Sequence, residues 1–338
     1  MSKQRIVYLD VLRVLACCMI VLMHSPHPDA GIPGYFLTPI GFLTGTGIGL
    51  FFMVSGALLL PVQTDTSYFL KRRLGKIIFP LLFWTLFYLA VSWILGERDT
   101  IKILHSIASI PFSAQGHGVL WFMYTLTGLY LLAPIISPML QKSNRKEIRF
   151  YLILWAVTLC YPWLAKVVDV NRGTTGILYY FTGYAGYFVL GYYMHTYCPK
   201  IRGWLIPLLF ILPYIALALY YYYGKQGDFY DLFWYESIML VMMCVGIFYV
   251  IRYLSERYLN IGGVITVLSN CSFGVYLMHI FIMQRVIWHS DFIVCHIGGL
   301  GQWFITWVLT LVLSFALTWA ISYLPFAEYI IGYKHKRK

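Results

Sequence analysis

Apolar residues run along this chain in blocks of about twenty, the length a helix needs to cross a hydrocarbon layer of roughly 30 Å. Ten such blocks lie at about 7–25, 40–61, 76–95, 118–138, 148–166, 176–197, 204–223, 233–252, 264–288 and 303–324. Pro162 interrupts the fifth, Pro207 and Pro213 fall in the seventh, and polar residues dilute the ninth. Proline breaks the helical hydrogen-bond ladder, so these three have the least regular pattern. The expectation is an all-α, polytopic transmembrane helical bundle of about ten helices. No Ser/Gly-rich linker or long polar block divides the chain, so residues 1–338 read as a single integral membrane domain.

Composition supports the pattern, with 60% hydrophobic residues and 11% charged, against about 25% charged in soluble domains. The net charge of +12 would suit a polyanion partner such as nucleic acid. Its distribution points elsewhere: eighteen Lys and Arg fall in alternate segments assigned to the inside and five in those outside, with Arg13 and Arg285 inside helices. That bias expects both termini in the cytoplasm and an even number of crossings. Seven cysteines lie mostly within apolar runs, with Cys198 inside and Cys295 outside, so neither a disulfide framework nor a metal site is expected.

The first block carries chemistry. It reads Asp10-Val-Leu-Arg13 and continues apolar to His24, after which Ser25-Pro26-His27-Pro28 stops the helix. Asp10 and Arg13 interrupt what a signal peptide keeps uncharged, so this helix is expected to be retained. Charges inside a membrane helix are costly and default to functional candidates. At about 100° and 1.5 Å per residue, Arg13 and His24 finish some 20° apart in azimuth and roughly 16 Å apart in height. His24 is either a candidate proton acceptor at the outer mouth or an interfacial histidine bonded to a backbone carbonyl. Arg13 either pairs with Asp10 one turn earlier or faces a cavity holding an anionic cofactor.

Other candidates follow along the chain. Gly45, Gly47, Gly49 and Gly56, around Ser55, suit close helix packing. Lys71-Arg72-Arg73-Leu74-Gly75-Lys76 precedes the third block, either as a topogenic cluster or as a docking site for a phosphate-bearing cytoplasmic molecule at a helix N-terminus. His117 and Trp121 open the fourth helix near the expected level of His24, while Glu236 and Arg285 lie near outer helix ends and could neutralise each other. Ser272, Tyr276 and His279 recur at i, i+4 and i+7, a polar stripe that either bonds a neighbouring helix or lines a cavity.

Taken jointly, these features resemble the acyltransferase type 3 family of integral membrane acyltransferases. The residues that carry the resemblance are the Arg13-x10-His24 pair, Phe51-Phe52-x-x-Ser55-Gly56, Arg72-Arg73-x-x-Lys76 before Pro80, Leu120-Trp121-Phe122, and Ser272-Phe273-Gly274-Val275-Tyr276-Leu277-x-His279. They span nearly the whole chain in the family's order. Lys76 stands where an arginine is common, which keeps the charge and loses the planar fork.

The resemblance implies ten helices and transfer of an acyl group, foremost acetyl, from cytoplasmic acetyl-CoA or another acyl-CoA to a hydroxyl of an extracytoplasmic glycan or surface polymer. It implies a catalytic role for His24, donor binding or site organisation by Arg13, Arg72, Arg73 and Lys76, no metal, and a multi-pass location in a bacterial plasma membrane. His24 would act as general base, or alternatively take the acyl group itself. A competing reading, a transporter or flippase for a small polar or lipid-linked glycan, would also use intramembrane charges. No internal repeat of the kind many transporters show stands out.

Overall fold

The computed structural model describes residues 5–25, 39–225, 227–258, 262–288, 290, 297 and 299–335. Lys3, Pro26, His27, Pro28, Cys295, Lys336, Arg337 and Lys338 lie outside the described residues. Within those described, the elements are helices and there is no strand. Among the described residues, eight stretches are long and apolar enough to cross a membrane: Val7–His24, Pro39–Leu59, Thr66–Ile94, Gly118–Lys142, Leu205–Tyr222, Phe229–Tyr258, Gly263–Ile287 and Gly301–Ile321. The protein is all-α and polytopic.

Two blocks of full apolar length fold as shorter helices, each for a local reason. Around residues 148–166, a capping box at Asn144 and Glu147 starts Arg145–Leu159, which stops after 15 residues, and Pro162 heads a separate turn, Tyr161–Leu164. Around 176–197, Gly183 takes φ +91, which an α-helix does not contain, so the helix begins only at Ala185 and runs to Tyr197. Pro213, by contrast, is carried inside Leu205–Tyr222.

The third helix begins ten residues earlier than its apolar block. Asp65 caps it by accepting the Tyr68 N–H at 3.1 Å, and the helix runs from Thr66 to Ile94. Arg72, Arg73 and Lys76 therefore lie in its second and third turns. The helix-terminus argument for anion binding does not apply to them. A further helix, Thr100–Ser109, is capped by Asp99 and was too short to register as a block. Its Ile101, Leu104 and Ile107 are exposed at i, i+3 and i+6, the pattern of a helix lying in a membrane interface.

The chain forms two compact units. The first comprises residues 1–61, 136–269 and 298–303. In it Thr46–Leu59 packs chiefly on Ala185–Tyr197 and on Val7–His24. Lipid chains are as apolar as leucine, so helices in a bilayer gain by close packing, and small residues permit it. Gly56 is pressed against the Phe188 carbonyl and Gly191 against the Met53 backbone so closely that a Cβ at either would overlap its neighbour. At one end of this unit, Asp10 accepts from Arg5 Nε at 2.5 Å and from Ser269 Oγ at 2.7 Å. Arg252 Nη1 donates to the carbonyls of Met194 and His195, both at 2.9 Å, and so caps the last turn of Ala185–Tyr197.

The second unit comprises residues 62–135, 270–297 and 304–338. Trp84 Nε1 donates to Ile330 O at 2.9 Å and ties Thr66–Ile94 to the short helix Ala327–Ile331. Tyr88 Oη donates to Leu277 O at 2.9 Å, and Tyr276 Oη donates to Val119 O. Thr306, Thr310, Ser314, Thr318 and Ser322 recur every fourth residue and are all buried, with Thr318 packed against Gly274.

Candidate active site

Val7–His24 is a continuous helix, so Arg13 and His24 stand on one side of it as the spacing requires; both are half-buried. Ser25 ends it in an extended conformation, anchored by its Oγ to Trp303 O at 3.1 Å. His24 Nδ1 lies 2.9 Å from Ile20 O, one turn back. A carbonyl can only accept, so Nδ1 carries the proton and the lone pair of the neutral ring sits on Nε2. The same helix end meets an aromatic wall: Tyr235 Oη lies 3.5 Å from the Met23 sulfur.

Tyr235 also lines a cavity of about 290 Å³ together with Tyr184, Trp234, Glu236, Arg172 and Asp231. The loop between Phe229–Phe233 and Ile238–Tyr258 is rigidly held, with Ser237 Oγ donating to Leu232 O at 2.5 Å and Tyr187 Oη donating to Tyr235 O at 2.5 Å. It presents Glu236, which makes no hydrogen bond or ion pair among the described residues. Arg172 and Asp231 satisfy each other at 3.0 Å on the same rim.

A second polar cavity, about 250 Å³, lies in the other unit and is lined by Tyr88, Ser92, Glu97, Arg98, His117, Gln284 and Arg285. His117 heads the 3₁₀ turn Gly118–Leu120, accepting weakly from Val119 N at 3.5 Å, and its ring lies 5.5 Å from that of Tyr88. Burial lowers the pKa of His117, a hydrogen bond that the ring donates to the Gln284 side chain opposes it, and the charges of Arg285 and Arg98 lower it further. Its imidazole is thus neutral near pH 7. Arg285 pairs with Glu97, and Ser92 Oγ donates to the same carboxylate at 3.0 Å; these bonds hold the Glu97 carboxyl below its usual range. Arg98 Nη1 donates to Ser106 Oγ at 3.2 Å. Gln284 and Arg285 lie in the π-helical turn Ile282–Ile287, a distortion common at functional positions.

One conjectured pairing is corrected. Arg285 finds its carboxylate in Glu97, not in Glu236. Asp10 is held by Arg5 and Ser269, groups that sequence spacing along one helix could not single out. Ser272, Tyr276 and His279 are buried, with His279 Nδ1 2.6 Å from Tyr276 O, and the Tyr276 hydroxyl is spent on Val119 O. Trp121 is half-buried and edge-on to Phe122, and Ser55 is half-buried on Thr46–Leu59. Arg72 and Lys76 are exposed, Arg73 is half-buried, and Arg72 Nη1 donates to Tyr68 Oη at 3.1 Å. Glu97, Arg98, Gln284 and Tyr184 are cavity residues that the sequence reading missed. The one available signal was the rarity of charge, since only 11% of the chain is ionisable in this sense.

Fold and site define a multi-pass helical membrane protein with polar cavities and a histidine ending a charged spanning helix. A family model described as an acyltransferase domain matches residues 6–323, nearly the whole chain. The chain belongs to the acyltransferase type 3 family and is a membrane acyltransferase. No curated protein and no solved structure matches it significantly.

Proposed function

We propose that this enzyme moves an acyl group, foremost acetyl, from cytoplasmic acyl-CoA to a hydroxyl of an extracytoplasmic glycan or surface polymer, with His24 as general base at a bacterial plasma membrane. The observation that carries the reading is the 2.9 Å contact between His24 Nδ1 and Ile20 O. It turns the basic lone pair onto Nε2 and fixes the ring. Nε2 takes the proton of the acceptor hydroxyl as its oxygen attacks the thioester carbonyl. The tetrahedral adduct then collapses, the C–S bond breaks, and the proton returns from Nε2 to the departing sulfur. Ester and free CoA thiol are the products, and the imidazole ends neutral.

Arg13 supplies positive charge on the same helix, and Arg72, Arg73 and Lys76 hold the donor's phosphates, Arg through its planar fork and Lys as a point charge. The cavity of Tyr184, Trp234, Tyr235 and Glu236 receives the acceptor. Its support is the contact of Tyr235 with Met23, the neighbour of His24. Aromatic faces pack on the C–H surface of a sugar ring, and a carboxylate accepts from its hydroxyls. Because Arg172 and Asp231 cancel, Glu236 leaves this cavity net negative, which favours a neutral or amine-bearing sugar over an acidic one.

The test is release of CoA thiol by the purified protein in detergent. Thiol release from acetyl-CoA that depends on an added oligosaccharide, with ester in the product, is the expected result. Absence of any thioester consumption across acyl-CoA chain lengths and sugar acceptors would reject it.

A further inference from the structure

Two cavities meet within the unit of residues 62–135, 270–297 and 304–338. The polar one around His117 shares Val91, Phe281 and Arg285 with another of about 320 Å³, completed by Ile94 and Leu95. Arg285 is the single polar residue of this second cavity. Ile94 and Leu95 are 74% and 53% exposed at the end of a spanning helix, where the surrounding medium is lipid.

Arg285 stands at the junction. Its bond to Glu97 uses Nη2, and a guanidinium has five N–H donors, so the group is built to engage a second anion. Arg98 contributes another cation to the polar cavity, whose one carboxylate is Glu97. The lining therefore carries an excess positive charge. Arg98 also bonds Ser106 on Thr100–Ser109, the helix whose Ile101, Leu104 and Ile107 are exposed on one side. A helix of that kind lies at headgroup depth, which sets the level of the junction.

We propose that Arg285 and Arg98 bind the phosphate of a single anionic phospholipid whose chain lies along Val91, Ile94 and Leu95. Its hydroxylated headgroup enters the cavity towards His117 and Gln284. The site is independent of the acyl-transfer reading, since none of its residues takes part in that chemistry.

Native mass spectrometry of the full-length protein in detergent, titrated with phosphatidylglycerol, phosphatidylcholine or inorganic phosphate, tests it. One phosphatidylglycerol should bind in preference to phosphatidylcholine, and inorganic phosphate should not compete at equal concentration. Hydrogen bonds to charged groups are the strong ones, so Arg285→Gln should weaken phosphatidylglycerol roughly ten- to a hundredfold, with thermal unfolding without lipid reporting that the variant is folded. Glu97→Gln frees Arg285 from its internal partner and should tighten the lipid severalfold, which decides the matter if Arg285→Gln does not fold. Equal binding of both lipids, competition by inorganic phosphate alone, or phosphatidylglycerol binding that Glu97→Gln leaves unchanged would overturn the proposal.

Discussion

Ser269 Oγ donates to Asp10 Oδ1 across 2.7 Å, both residues lying within the first unit, and Arg5 closes the other side of the carboxylate. The three groups answer one another's hydrogen-bonding needs in a place where water is scarce. Asp10→Ala strips an acceptor from a cation and a buried hydroxyl at once, so it should cost about 1–3 kcal/mol. Asp10→Asn keeps one oxygen for Ser269 and should cost less. Thermal unfolding in a fixed detergent compares the two, and equal midpoints for wild type and Asp10→Ala would contradict the pairing.

Gly56 and Gly191 let two helix backbones touch. A methyl group at either has backbone carbonyl as its obstacle, which no rotamer change can clear. Gly56→Ala or Gly191→Ala should destabilise by roughly 3 kcal/mol, near the top of the range for overpacking, and lower the yield of monodisperse protein. Gly128, around which a Cβ would meet nothing within 4 Å, is the control: Gly128→Ala should leave the yield unchanged.

The spanning helices were legible because a bilayer imposes one length and one composition, and eight of ten apolar blocks meet it in the structure. The two that do not were shortened by Pro162 and Gly183, residues whose effect is local and whose neighbours are still apolar. Cations at 71–76 read as loop although they continue a helix, and the signal that extends it, Asp65 before Thr66 and Ser67, was present as an N-cap pattern. His117 was legible as a polar residue at a helix start. Its cavity was not, because Glu97 and Arg285 are 188 residues apart and no periodicity links them.

His117 predicts a pH dependence. Burial depresses its folded pKa, so between that value and the ordinary value of about 6.5 the unfolded chain binds more protons than the folded one. Stability is therefore full above neutrality and falls as pH drops below about 6.5, levelling off once the folded imidazole protonates. His117→Asn should make the unfolding midpoint less sensitive to pH between 7 and 5. A wild-type midpoint that is flat over this interval, or a variant as sensitive as wild type, would contradict the environment described.

The donor side rests on Arg72, Arg73 and Lys76, three cations in two turns of one helix. Combined replacement by Gln should remove most of the protection that CoA gives against thermal unfolding, a loss of at least about tenfold in apparent affinity, while apo stability stays within about 0.5 kcal/mol as expected for largely exposed side chains. Undiminished CoA protection would take the cluster out of the donor site.

The central claim concerns one nitrogen, Nε2 of His24. Its most direct measurement is acetyl transfer to an oligosaccharide by purified His24→Ala beside wild type, with CoA protection recorded for both. General-base catalysis contributes about 10²- to 10⁴-fold, so transfer should fall by at least that much while CoA still protects the folded variant. Wild-type turnover by a folded His24→Ala protein would contradict the account.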